Sequence, residues 1–422
     1  MTFRFLDLFA GAGGLSEGFI QAGYTPVAHV EMDKAACYTL RTRAVFHELN
    51  KTDEGQQIYK NYLLGKITRE QLYKSVPTSV TASVIEEAIG EDTLSKIFDR
   101  IDSLNDGQPI DVIIGGPPCQ AYSLVGRSKK GEEIKTDHKN YLFKYYVEFL
   151  QKYKPRYFVF ENVPGLYTAK DKENNYFLEQ IRDALSSAGY ELFTHDCNAE
   201  DYGVPQRRKR IIIIGCKKHK GACAPELRGE GRFPSTISKL FSDLKHIQAG
   251  EGSIKADSRS QSTMKWLLKK GISDNIYPVT YHQARPHNPH DLEIYRNAVD
   301  VWVQEKRRFN YLKDVPDNAK THKNTRSFLD RFKVVDGDSH ASHTVVAHIC
   351  KDGHYYIHPD KTQNRSLTPR EAARLQTFPD NYFFETPTGR ESRMYAFRQI
   401  GNAVPVLLAK SIADQLKPYL ES

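Results

Sequence analysis

The 422-residue chain predicts an α/β protein: a doubly wound, Rossmann-like sheet carrying a second, smaller lobe. Three observations lead there. Short apolar runs alternate with amphipathic stretches of helical period, the pattern of successive βαβ units. A glycine-rich turn follows the first of those runs. A long middle segment then abandons the rhythm, and 422 residues suit two or three lobes.

Residues 3–8 read as a buried strand, followed by the turn and a helix over 15–22. Residues 25–30 form a second strand, and Lys34 opens a second helix. Further strands are expected at 111–115, 157–161, 191–196 and 210–215, with helices around 142–152 and 174–188 between them. Residues 43–106 are polar and charge-rich with amphipathic stretches, and are expected to be an insertion in the first lobe. From 217 to 342 basic, histidine-bearing and aromatic residues mix irregularly, as in a lobe with long loops. Helices over 370–377 and 406–420 close the fold, the last turning an apolar face to the sheet.

The 60 Lys and Arg exceed the 52 Asp and Glu, a net charge of +8 that suits a polyanionic partner only if the cations share a face. Six cysteines lack the paired spacing of a zinc site or a disulfide framework, so a reducing, cytoplasmic setting is expected. His282, His287 and His290 lack accompanying ligands, and no metal is expected. No signal-like or long hydrophobic segment stands near Met1, so membrane insertion is not expected either.

Asp7-Leu8-Phe9-Ala10-Gly11-Ala12-Gly13-Gly14 lies where a strand turns into a helix, so the backbone can approach a ligand in front of the helix N-terminus. The third glycine of a dinucleotide fingerprint is replaced by Ser16, which favours another nucleotide-like cofactor or a purely structural turn. Glu31 ends the next strand, where an acidic residue commonly takes ribose hydroxyls. Gly115-Gly116-Pro117-Pro118-Cys119-Gln120 puts a cysteine in a loop at the carboxyl edge of the sheet, as a nucleophile or as a packed thiol. Glu161-Asn162-Val163 ends another strand, and its glutamate is a general acid or a helix cap. Gln206-Arg207-Arg208-Lys209-Arg210 precedes the apolar run 211–214, as an anion site or a charged strand border.

Together and in this order, these motifs resemble the DNA (cytosine-5)-methyltransferase family, of the bacterial modification-enzyme type. The likeness extends through Leu367-Thr368-Pro369-Arg370-Glu371-Ala372-Ala373-Arg374-Leu375-Gln376 to Gln399-Ile400-Gly401-Asn402-Ala403-Val404-Pro405. It implies the fold of S-adenosylmethionine-dependent methyltransferases, with a catalytic and cofactor-binding domain over 1–216, a target-recognition domain over 217–390, and a segment over 391–422 that returns to the first domain. The implied cofactor, S-adenosylmethionine, would meet Phe9, Ala10, Gly11, Gly13, Gly14, Leu15, Glu31, Met32, Pro118, Leu142, Asn402 and Val404. Met32 stands where relatives often carry an aromatic residue, and the acidic residue that should reach the adenine has no evident counterpart.

The resemblance also implies the chemistry. Cys119 would add to carbon 6 of a cytosine flipped out of duplex DNA, making carbon 5 nucleophilic. Glu161 would hydrogen-bond ring nitrogen 3, Arg210 would hold the ring carbonyl, and Arg208 would stand near Cys119 and Glu161. DNA contacts are expected from Gln120, Ser123, Arg127, Gln206 and Thr344. In the second lobe Lys265, Lys269, Lys270, Arg285, Arg296, Arg307, Arg308, Lys323 and Arg326 are candidates for phosphate or guanine, and Gln283, Asn288 and Asn324 for adenine. The implied setting is a monomeric partner of a separately acting restriction endonuclease. A transfer-RNA cytosine-5 methyltransferase on the same scaffold and a catalytically silent DNA-binding regulator are the alternatives.

Overall fold

The computed structural model describes residues 2–118, 138–218, 223–255, 259, 262–317, 320 and 329–421. Its centre is a seven-stranded sheet in the order β3-β2-β1-β4-β5-β7-β6. The strands are β1 (Arg4–Leu8), β2 (Thr25–Glu31), β3 (Val84–Glu86), β4 (Val112–Gly115), β5 (Tyr157–Asn162), β6 (Tyr190–Asn198) and β7 (Lys209–Lys217). Strands β3 to β5 pair in parallel across the order, whereas β7 runs antiparallel to both β5 and β6. The strand order reverses between β1 and β4. The loops that follow these two strands therefore flank a crevice at the carboxyl edge, where open α/β sheets take their ligands.

Alternate residues of each central strand enter opposite cores, as the period of two requires. Val112 and Ile114 of β4 and Ile212 and Ile214 of β7 lie in one core, and Ile113, Ile211 and Ile213 lie in the other. The first core is covered by α1 (Gly14–Gln21), α2 (Lys34–Leu49), α3 (Asp53–Leu63) and the C-terminal helix. The second is covered by α6 (Glu91–Asn105), α7 (Phe143–Tyr153) and α8 (Phe177–Ser187). Two short helices, α4 (Arg69–Lys74) and α5 (Thr78–Ala82), precede β3.

Residues 43–106 are not wholly an insertion. They contain β3, which pairs with β2 from His29↔Val84 to Glu31↔Glu86, and α6, whose Ile97 and Ile101 pack under the sheet. Three residues are too few to show a strand period, so pairing alone reveals β3.

Beyond β7 the chain forms α9 (Ile237–Phe241), the β8–β9 ladder (Gly252–Ser253 with His282–Gln283), α10 (Lys265–Lys269), α11 (Pro289–Glu305), α12 (Tyr311–Asp314), α13 (Pro369–Leu375), α14 (Arg393–Asn402) and α15 (Val406–Glu421). The 217–390 segment packs in two parts. Phe233, Leu240, Tyr281, Leu375 and Phe384 join the core of α1 and α15, while Ile294, Tyr295, Phe309, Phe332 and Ile357 form a separate cluster. Buried ion pairs anchor the first part: Arg374 lies between Asp243 and Asp380, and Arg365 meets Glu371. The C-terminal helix packs on α1, where a Cβ on Gly18 would meet the Ala409 Cβ of α15. Among the described residues no helix is long and apolar enough to cross a membrane.

Candidate active site

The glycine turn leaves β1 with Phe9 in the left-handed region at φ 56° and resting on the second core. Gly11 N–H then donates to Glu31 Oε2 at 2.7 Å. Glu31 Oε1 accepts from the backbone N–H groups of Met32 and Asp33 at 2.8 and 2.7 Å, so the carboxylate is fixed beside the turn. Burial raises its pKa, and the three N–H donors oppose that rise. The turn is closed from behind by the C-terminal segment: a Cβ on Gly14 would stand 2.2 Å from the Val404 carbonyl oxygen. Only glycine allows that approach.

The predicted cofactor residues divide by exposure. Ala10, Leu15, Leu142 and Val404 are buried, whereas Met32, Pro118 and Asn402 are exposed along the edge. Leu15 belongs to the first core, a packing position that its place beside the turn did not disclose. Sequence reasoning missed Glu86, which ends β3 in register with Glu31 and pairs with Arg41 of α2 at 2.9 Å. Its only sequence signal is an acidic residue after two apolar ones, at a strand too short to recognise.

On the other side of the crevice, β4 leads through Gly116, Pro117 and Pro118 toward Cys119. Cys119, Gln120, Ser123 and Arg127 lie outside the described residues, as do Lys323, Asn324 and Arg326. The approach to the cysteine is nonetheless built against β5. Asn162 Nδ2 donates to the Pro117 carbonyl at 3.3 Å, and a Cβ on Gly116 would lie 2.6 Å from Glu161 Oε2. Glu161 thus sits behind the backbone that enters the cysteine loop. Arg210 Nε approaches Glu161 Oε1 at 2.5 Å as an ion pair, with both side chains mostly shielded. Of the other cysteines, Cys37 and Cys197 are buried, and burial raises both thiols, Cys197 to about 11. Neither suits a thiolate role.

The extended run into β7 alternates: Gln206 and Arg208 face inward, and Arg207 and Lys209 face solvent. Gln206, expected at the DNA, is fully buried and clamps three segments. Its Nε2 donates to the Leu375 carbonyl and to Gln376 Oε1, and its Oε1 accepts from Val345 N–H at 2.8 Å. With its amide fully committed inside the protein, it is not a DNA contact in this arrangement. Arg208 is also buried and donates to the carbonyls of Val345 and Gly401 at 2.7 and 3.2 Å. Burial, then the charge of Arg210, holds its pKa well below the usual arginine value. Its guanidinium joins the second lobe and the end of α14 to the catalytic edge. Thr344, beside this junction, donates to the Arg207 carbonyl at 2.6 Å.

Several second-lobe candidates are committed within the protein. Asn288 caps α11 by accepting from Asp291 N–H, Arg285 binds the carbonyls of Ile349, Cys350 and Lys351, and Arg307 is held by Glu305 and Asp314. An N-cap asparagine serves orphan helix N–H groups before it can serve a base.

A family model described as C-5 cytosine-specific DNA methylase matches residues 3–77 and 82–418. The type II methyltransferase M.Bpa9945I of Bacillus paralicheniformis is 37% identical over 98% of both chains. The type II methyltransferase M.DdeI of Desulfomicrobium norvegicum is 31% identical, covering 99% of this chain and 89% of its own. Among solved structures, a candidate DNA modification methyltransferase encoded within a prophage, from E. coli, superposes with a TM-score of 0.64 at 22% identity over 100% of both chains.

Proposed function

From the premise that the chain belongs to the C-5 cytosine-specific DNA methylase family and methylates carbon 5 of cytosine in DNA, we propose that Cys119, Glu161 and Arg210 perform the reaction at the β1–β4 crevice. The observation that carries this reading is the wedge of Glu161 between Gly116 and Arg210, directly behind the backbone that leads to Cys119. Cytosine carbon 5 is a poor nucleophile, and thiolate addition to carbon 6 makes it enamine-like. Cys119 supplies that thiolate. Glu161 hydrogen-bonds ring nitrogen 3 where charge develops, and Arg210 holds both the glutamate and the ring carbonyl. After carbon 5 takes the methyl group, its proton leaves and Cys119 is eliminated. Because carbon 6 is hidden in the stack of a duplex, the cytosine is flipped into the site before attack. Arg208 and Gln206 position this edge through the carbonyls and amides they hold, and Thr344 faces the DNA beside them.

The family and fold imply S-adenosylmethionine as the methyl donor, which supplies an electrophilic methyl group when bound. The residues present fit it. Glu31 offers a fixed carboxylate for ribose hydroxyls, Phe9 an aromatic face, and a Cβ on Gly11 would meet nothing within 4 Å, so the turn leaves open space. Leu142, Asn402 and Val404 would enclose the group.

The relatives' designation as type II methyltransferases favours a role in a restriction-modification system, and the same reading has a cognate endonuclease acting separately and this chain acting as a monomer. Sequence choice is assigned to the second lobe.

Duplex DNA with 5-fluorocytosine at the target tests the mechanism, the site first being found by bisulfite sequencing of DNA from a methylation-free host. Fluorine cannot leave as the carbon 5 proton does, so wild-type protein accumulates a covalent adduct and Cys119→Ala forms none while retaining cofactor binding. Adduct formation or full activity in the alanine variant refutes the assignment.

A further inference from the structure

We propose that a cleft between the second lobe and the catalytic edge binds one backbone phosphate of the DNA substrate, within a few nucleotides of the target cytosine, through Arg308 and Lys333. The cleft encloses about 360 Å³, with Trp302, Phe309 and Phe332 among its walls and Arg207, Arg308 and Lys333 among its cations. These cations are not equivalent. Arg207 has Glu200 at 3.5 Å and donates to Ser339, and Arg307, also at the cleft, is neutralised by Glu305 and Asp314. Among the described residues no carboxylate stands within ion-pair distance of Arg308 or Lys333. The one acid in the lining, Asp336, is instead approached by the Trp302 indole N–H at 3.4 Å.

Folding has therefore gathered cations against an aromatic wall and left two of them, Arg308 and Lys333, beyond ion-pair reach of any carboxylate among the described residues. Burial, then Arg308, lowers the Lys333 pKa, with the more distant Asp330 opposing the fall. Burial, then Lys333, depresses His343 to about 3, so its ring is neutral and Nε2 donates to the Tyr355 carbonyl at 2.6 Å. A bound anion would offset this cost, and partly shielded walls would strengthen the attraction.

Position identifies the anion. Arg207 belongs to the same extended run as Arg210, which meets Glu161. Three residues of extended chain span about 10 Å, and each strand of a duplex presents a phosphate about every 3.4 Å of axis. Arg207 also lines the cleft, so the cleft borders the edge along which such a DNA strand would pass, and a phosphate is the anion that strand offers. The inference rests on the DNA-methylating activity and on Glu161 marking the cytosine site, and does not depend on the role given to Cys119.

The test uses the full-length protein, its duplex site and a series of salt concentrations. Arg308→Gln and Lys333→Gln are each expected to weaken DNA binding and to lower the slope of log Kd against log salt, and the double variant to lower it by about 0.9, the signature of one lost phosphate contact. S-adenosylmethionine affinity should be unchanged. Single uncharged methylphosphonate linkages are then scanned along both strands. Wild-type affinity should fall at one linkage near the cytosine, and that linkage should cost the single variants less and the double variant nothing further. Unchanged slopes in both variants, a loss tied to one base pair, or a linkage penalty that adds in full to the substitutions would each overturn the proposal. If Lys333→Gln fails to fold, exposed Arg308 decides alone. Wild-type methylation and adduct formation are measured separately, so failure of the cleft and failure of the reaction scheme are told apart.

Discussion

Replacing Gly116 by alanine would push on the reaction centre with a single carbon atom. Gly116 is not among the residues with positive φ, so alanine adopts its backbone without strain. The new Cβ would lie 2.6 Å from Glu161 Oε2, where ordinary contact begins near 3.4 Å, so the carboxylate must retreat by about 0.8 Å. Because that atom is the free end of a side chain, the fold should lose no more than about 1 kcal/mol, the low end for overpacking. Catalysis has less tolerance. Misplacing a reacting group by about 1 Å can cost on the order of 100-fold, equivalent to about 2.7 kcal/mol of barrier. Single-turnover methyl transfer should therefore slow by about that factor, with cofactor affinity and Tm near wild type. A wild-type rate would refute the placement of Glu161 in the reaction. A large loss of stability would refute the reasoning too, since it would show the backbone rather than the carboxylate giving way.

Glu31→Ala should weaken S-adenosylmethionine binding by about 1.5–3 kcal/mol, as for hydrogen bonds to a charged group, and leave DNA affinity unchanged. Calorimetry that finds unaltered cofactor affinity would reduce Glu31 to a strand-end residue. The carboxylate form accepts the hydroxyls and burial raises the Glu31 pKa, so wild-type cofactor affinity should decline, as pH falls, earlier than for an ordinary glutamate. Arg374→Met should leave Asp243 with Arg259 alone and Asp380 with Arg259 and the more distant Arg370, at a cost of roughly 3 kcal/mol, the lower end for breaking a buried pair. Urea unfolding checks this, and a wild-type midpoint would contradict it. Although burial opposes its ionisation, Asp380 is held at about 2, chiefly by Arg374. Its contribution to stability is therefore complete above the unfolded value of about 3.9 and lost as pH falls toward 2. The variant should show a flatter acid limb.

Six of the seven strands and the order of the motifs are legible in the sequence alone. Residues 211–214, four isoleucines, could only be a strand buried on both faces, and the glycines after β1 and β4 marked backbone approaching a ligand. Such features are written in local period and residue type. The tertiary structure decided the rest, because the fate of a polar group depends on partners far along the chain. Gln206 and Arg208 looked like their neighbours in a basic run, yet meet carbonyls and amides 137 to 193 residues away and are interior clamps. Strand β3 exists through its pairing with β2. Arg307 and Arg308 are adjacent and chemically identical, but Glu305 and Asp314 neutralise only the first. Sequence supplies the charge, and folding decides whether a carboxylate reaches it first or leaves it for the DNA.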